Sequence, residues 1–138
     1  MSNMLFDALF DKKPGQAVFI ELADGVRWSY DDILNETARV ANALVSAGIQ
    51  PGDRVAAQID KSVSAVALYL ATIRAGAVFL PLNTAYTAAE VEYFITDAEP
   101  AIFICRSSSD AALRPIAESN NSRLETLNAD GGGSWPLA

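Results

Sequence analysis

The chain has 138 residues, 51% hydrophobic and 20% charged, with a formal net charge of −7 and a sequence pI near 4.4. Such a length and composition describe one globular unit that can bury a core without covalent staples, and exclude a disordered chain. The acidic balance argues against nucleic acid, whose binding needs basic patches that displace counterions, and against an anionic membrane surface.

Leu5, Phe6, Leu9 and Phe10 fall at helical spacing and predict a short opening helix laid on a surface by its apolar side, closed by Pro14-Gly15. The N-terminus lacks the basic start and long apolar core of a signal peptide, so a cytoplasmic setting is expected. Ala17-Val18-Phe19-Ile20-Glu21-Leu22 and Val26-Arg27-Trp28-Ser29-Tyr30 read as a hairpin, because Asp24-Gly25 supplies the positive φ that the turn demands. Ser29 with Asp32 reads as a weak capping box for a helix carrying Leu34, Ala38, Ala41 and Val45 on one face, with Ile33, Thr37, Val40 and Leu44 beside them. Gly48 stops that helix, and Pro51-Gly52 turns the chain into a strand over residues 55–59.

Asp60 or Ser62 caps the next helix, and Gly76 ends it. Val63, Val66, Leu70 and Ile73 mark one face, but Ala65, Leu68 and Tyr69 leave hardly any polar side. A helix apolar nearly all round is buried on more than one side, so either this domain or a missing partner covers it. Residues 63–82 form the sole candidate membrane span, but Arg74, Gly76 and Pro81 interrupt it, and a buried helix followed by a buried strand explains it better. Thr87-Ala88-Ala89-Glu90 is a capping box whose helix turns Ala88, Val91, Ile95 and Ala98 inward. Glu99-Pro100 breaks it, and Ala101-Ile102-Phe103-Ile104-Cys105 is a short apolar strand. A weaker helix follows over residues 111–118 with Pro115 inside, then a last strand over residues 123–127 and a flexible loop, Asp130-Gly131-Gly132-Gly133-Ser134. The alternation implies an α/β fold: a mainly parallel sheet with helices on both faces and a leading β-hairpin, over residues 1–130, with 131–138 as a linker.

In such sheets ligands gather beyond the carboxyl ends of the strands. Lys61-Ser62 at a helix start could hold a phosphate or carboxylate; the plainer expectation is that Asp60 or Ser62 caps while Lys61 is solvated. For Asn83 and Tyr86 the plainer expectation is a turn residue and a partly buried aromatic, and for Ser107, Ser108 and Ser109 a loop plus cap. Cys105 reads as a small buried hydrophobe. With no histidine in the sequence, His-based acid–base work and triads are excluded, and no Cys/His set exists for zinc. No glycine-rich loop ending in lysine follows a strand; Gly131, Gly132 and Gly133 resemble one in composition only.

The stretches Gly52-Asp53-Arg54-Val55, Arg74-Ala75-Gly76-Ala77-Val78-Phe79-Leu80-Pro81-Leu82-Asn83 and Glu90-Val91-Glu92-Tyr93-Phe94 resemble the N-terminal region of acyl-CoA synthetases of the adenylate-forming superfamily. Lys61-Ser62-Val63, Leu68-Tyr69-Leu70-Ala71-Thr72, Asn83-Thr84-Ala85-Tyr86-Thr87 and Tyr93-Phe94-Ile95-Thr96-Asp97-Ala98-Glu99-Pro100 are similar to the malonyl-CoA synthetase branch in particular. Leu5-Phe6, Leu9-Phe10-Asp11-Lys12 and Leu124-Glu125-Thr126-Leu127 agree with it. The resemblance implies an enzyme that activates a carboxylate with ATP and Mg2+ to an acyl-adenylate, releases pyrophosphate, and passes the acyl group to coenzyme A. It also implies that the phosphate loop, adenine and ribose motifs, hinge and C-terminal lysine come after Ala138. No catalytic, cofactor-binding or metal residue is therefore carried onto positions 1–138, and the chain is expected to be an inactive N-terminal piece that packs against the rest of its own polypeptide. Another acyl-CoA ligase, or a self-standing small α/β binding module using the apolar 62–75 helix as a partner surface, are the alternatives.

Overall fold

The computed structural model describes residues 4–10 and 15–135, Leu9 by its backbone alone. Pro14, expected to stop the opening helix, and the closing residues 136–138 lie outside the described residues. Four strands form one parallel sheet in the order β4-β3-β5-β6: β3 (Arg54–Gln58), β4 (Val78–Pro81), β5 (Ile102–Cys105) and β6 (Arg123–Thr126). Strands β1 (Val18–Glu21) and β2 (Arg27–Ser29) pair antiparallel as a separate hairpin, its turn closed by Leu22 N–H donating to the Val26 carbonyl (2.8 Å), with Gly25 at φ 88°.

The central strands β3 and β5 are buried from Val55 to Gln58 and along all of Ile102–Cys105. Strand periodicity sends alternate side chains to opposite faces. Val55, Ala57, Ile102 and Ile104 meet Val40, Ala41 and Leu44 of α2 (Tyr30–Ser46) and Leu68 and Ala71 of α3 (Val63–Arg74). Ala56, Phe103 and Cys105 meet Val91 and Ile95 of α4 (Ala88–Ala98) and Leu113 and Ala117 of α5 (Asp110–Ser119). Helices thus cover both faces, as the uninterrupted apolar strands require.

The apolar helix α3 is covered from its other side by the chain itself. Ala67 and Leu70 pack with Phe6 and Phe10 of α1 (Met4–Phe10) and with Ile33, and the hairpin adds Phe19, Ile20 and Trp28. The Arg74 guanidinium sits 4.8 Å from the Phe6 ring centroid, so the last cation of α3 also holds the opening helix. Residues 63–82 divide into α3 and β4, and no helix among the described residues is long and apolar enough to cross a membrane.

Several local expectations shift. The capping box of α2 is complete: Asp32 N–H donates to Ser29 Oγ (3.1 Å) and Ser29 N–H to Asp32 Oδ2 (2.9 Å), so the shorter aspartate closes it as a glutamate would. The buried stripe of α2 centres on Ile33, Thr37, Val40 and Leu44, rotated away from Val45, which is exposed. Ala88 likewise faces solvent, because it stands on the first turn of α4 before the helix reaches the sheet; Val91 and Ile95 carry the packing. The glycine-rich 130–134 segment is a clamped turn. Thr126 N–H donates to Ser134 Oγ (2.8 Å), Ser134 N–H to Thr126 Oγ1 (2.9 Å) and Trp135 N–H to the Thr126 carbonyl (2.8 Å). Gly133 makes this possible, since at φ 113° any Cβ would run into the Thr126 carbonyl. Trp135 is then buried in the core between the sheet and α2.

Candidate functional site

The carboxyl ends of β3, β4 and β5 bring together the three loops expected to carry chemistry, residues 60–62, 83–86 and 106–109. Their polar groups are mostly spent on the fold. Ser62 Oγ accepts from Ala65 N–H (3.0 Å) and is the N-cap of α3, while Lys61 is exposed. The Asn83 side chain accepts from Ala85 N–H (2.8 Å), and its carbonyl accepts from the buried Gln58 amide (2.9 Å). Tyr86 is half-buried and stacks on Phe94, ring centroids 5.1 Å apart. The plainer expectation holds at each of these positions.

The serine loop departs from expectation. Ser107–Ser109 is a 3-10 turn, and Ser109 makes no side-chain bond to the start of α5. Ser107 instead reaches across to the loop after β6: its N–H donates to Asn128 Oδ1 (3.0 Å), and Asn128 Nδ2 donates to Ser107 Oγ (2.9 Å). Helix α5 is anchored by Asp110 and Arg114, paired through two N–H donors at 2.7 and 2.9 Å. That pairing holds the Asp110 carboxyl below the ordinary carboxylate range.

Sequence reasoning placed Arg106 in the third loop without giving it a role; in the structure it ties the three loops. Its Nη1 lies 3.4 Å from Asp60 Oδ1 and its Nη2 3.5 Å from the Thr84 carbonyl, while its Nε is buried without an acceptor among the described residues. The contacts are long and Asp60 is about half exposed (48%), so the pair adds on the order of 0–1 kcal/mol and serves to set loop position. The usable signal was a lone arginine directly after a fully buried strand. Cys105, the last residue of β5, has no exposed surface, and burial pushes its thiol up to about 11, which keeps it protonated and unreactive at neutral pH.

Beside these loops an apolar groove of about 380 Å³ runs between α3 and β4, lined by Ile59, Val66, Tyr69, Phe79 and Pro81, with Asp60 and Lys61 as its charged groups. It can receive an apolar surface, but it contains no nucleophile paired with a base. Among the described residues no three His, Cys, Asp or Glu side chains cluster as metal ligands.

Residues 6–134 match the family described as AMP-binding enzyme. The fold superposes with a TM-score of 0.91 on MatB from Rhodopseudomonas palustris, at 52% identity, over 97% of this chain and 27% of that one. The ATP-bound crystal structure of MatB gives the same figures. Curated relatives include an oxalate–CoA ligase of Arabidopsis thaliana, 41% identical over 80 residues (57% of this chain and 16% of that protein). The acyl-CoA ligase sidI of Aspergillus fumigatus is 31% identical over 113 residues, 75% of this chain and 19% of its own length. The chain thus spans about a quarter of the MatB structure and less than a fifth of these two curated relatives.

Proposed function

The chain belongs to the AMP-binding enzyme family, and from that membership we propose that it is the N-terminal part of an ATP-dependent acid–CoA ligase whose acid is malonate. The reaction converts malonate, ATP and coenzyme A to malonyl-CoA, AMP and pyrophosphate through an acyl-adenylate. The observation that carries this is the likeness to MatB over 97% of the chain, together with the resemblance of residues 61–63, 68–72, 83–87 and 93–100 to the malonyl-CoA synthetase branch.

The three loops do not make a nucleotide site by themselves. The Ser62 hydroxyl is taken by the helix cap, Arg106 faces Asp60 and Thr84, and Lys61 is the one charge at the α3 start left to meet a phosphate among the described residues. No step of the reaction is therefore assigned to them. ATP, Mg2+, coenzyme A and the carboxylate belong to the whole enzyme, in the cytoplasm. Residues 1–130 act as a scaffold lobe and 131–138 as the connector, pinned at Trp135. A second reading, another acid in place of malonate, is supported by the oxalate–CoA ligase likeness.

ATP–pyrophosphate exchange tests both. The full-length parent enzyme is expected to exchange with malonate and poorly with oxalate, and the 138-residue chain with neither. Exchange by the short chain alone refutes the scaffold role; exchange by the parent with oxalate and not malonate selects the second reading.

A further inference from the structure

Helix α3 is apolar nearly all round, and the described residues cover only part of that surface. Ala67 and Leu70 lie under α1 and the hairpin, and Leu68 and Ala71 lie on the sheet. The strip through Ala65, Val66 and Tyr69 instead forms one wall of the groove of about 380 Å³, with Phe79 and Pro81 of β4 as the other. Tyr69 is 47% exposed, its ring tilted against Phe79 with centroids 5.3 Å apart. A groove walled by two aromatic rings, a proline and aliphatic side chains marks a surface that another apolar surface covers.

The outer strand sets how that cover is made. Strand β4 stands at the end of the sheet, with β3 as its one neighbour among the described residues. Val78 N–H donates to the Asp53 carbonyl and Leu82 N–H to the Ala57 carbonyl, both at 2.8 Å, so alternate residues of β4 face β3. Phe79 and Pro81 therefore turn their backbones to the free edge, and proline has no N–H to offer there. The Phe79 amide is the one outward donor left in β4. An edge proline of this kind blocks strand addition, so side chains and not a further ladder carry the contact.

The superposable MatB structure extends far beyond this lobe, since the matched residues are 27% of that chain. The net charge of −7 sets two copies of the lobe against each other, so a second copy is the poorer occupant. We propose that the remainder of the parent polypeptide lays apolar side chains into the α3–β4 groove, covering Tyr69 and Phe79 and leaving the Phe79 amide outside any strand ladder. This contact presupposes the longer ligase of the proposed function, and it gives the packing of lobe against remainder a place and a kind.

Thiol labelling tests this directly, because Cys105 has no exposed surface and stays silent. Ala65→Cys places a small thiol in the groove wall. Its maleimide labelling is followed by mass spectrometry in the 138-residue chain and in the full-length parent, each rate divided by that in denaturant. Labelling of the short chain is expected within about tenfold of the denatured rate, and that of the parent slower by about a hundredfold or more. Tyr69→Glu, at a position already half exposed, should leave the circular dichroism of the short chain unchanged and speed labelling of Ala65→Cys in the parent about tenfold. Amide exchange at Phe79 in the parent should stay faster than at Leu80, whose N–H faces β3. Equal labelling rates in the chain and the parent, labelling in the parent that Tyr69→Glu does not change, or a Phe79 amide as slow as that of Leu80 each overturns the proposal. ATP–pyrophosphate exchange keeps docking and ligase apart. A protected groove in a parent that activates no acid supports the docking and removes the ligase; an open groove in a parent active with malonate removes the docking alone.

Discussion

Replacing Leu68 with alanine cuts back a side chain with no exposed surface, in the cluster that joins α2 and α3 to Val55, Ala57, Ile102 and Ile104. The transfer loss alone is roughly 2–2.5 kcal/mol, at about 0.8 kcal/mol for each buried methylene-sized group. A sealed void would add about 24 cal/mol per Å³, carrying a leucine-to-alanine change toward the top of the roughly 2.7–5 kcal/mol range. Leu68, however, lines a cavity of about 220 Å³ between α2, the first turns of α3 and the 127–131 turn, so the space it leaves merges with space that already exists. The expected cost is therefore about 3 kcal/mol, near the lower end of the range. Ile104 provides the comparison: it is fully buried in the same cluster and does not line that cavity, so Ile104→Ala should cost about 4–5 kcal/mol. Urea unfolding followed by far-ultraviolet circular dichroism measures both, with the slope m unchanged in each variant. A Leu68→Ala cost equal to or above that of Ile104→Ala would refute the argument that the neighbouring cavity absorbs the void.

Ser62→Ala removes the acceptor for the Ala65 amide and should cost about 1 kcal/mol, with Asp or Asn at the position restoring most of it in the same unfolding assay. At alkaline pH the Cys105 thiol, pushed up to about 11, binds its proton more tightly folded than unfolded. Its contribution is complete below the unfolded value of about 9 and lost as pH rises, by roughly 2 kcal/mol at pH 11. Melting curves of Cys105→Ala should therefore decline less across that window than those of the parent chain. Asp110 behaves in the opposite sense: its lowered carboxyl contributes stability above the ordinary carboxylate range, and this disappears as pH falls through the folded value. Asp110→Asn should be less stable than the parent at neutral pH and equal to it in strong acid, read by thermal melting; a constant gap down to low pH would show that the Arg114 pair is not the cause.

What the sequence made legible follows from where periodicity and punctuation act alone. Gly25, Gly48 and Gly76 mark turns or helix stops because their φ values are positive, and Thr87 with Glu90 announces a cap that closes as written. The uninterrupted Ile102–Cys105 run implied two covered faces, and α4 and α5 supply the second. Helical rotation was less legible: Val45 and Leu44 are equally apolar in sequence, and only the angle at which α2 meets the sheet decides which is buried. The candidate site was legible as a location and not as a set of bonds. Pairings such as Ser107 with Asn128 and Arg106 with Asp60 and Thr84 span more than twenty residues and leave no local spacing to detect. Trp135 behind three glycines had the composition of a linker, yet the Thr126–Ser134 clamp seats it in the core.

The layer that α1 and the hairpin lay over α3 carries a consequence for synthesis. Phe6, Phe10 and Phe19 find their burial on Ala67 and Leu70, which the ribosome makes much later. At roughly 5–20 residues per second, these first aromatic side chains wait on the order of seconds before a surface exists to receive them. During that interval the nascent chain presents an aromatic cluster whose covering surface on α3 has yet to be made. Chaperone demand should therefore peak before α3 emerges and fall once it has folded, although the hairpin and opening helix were made first.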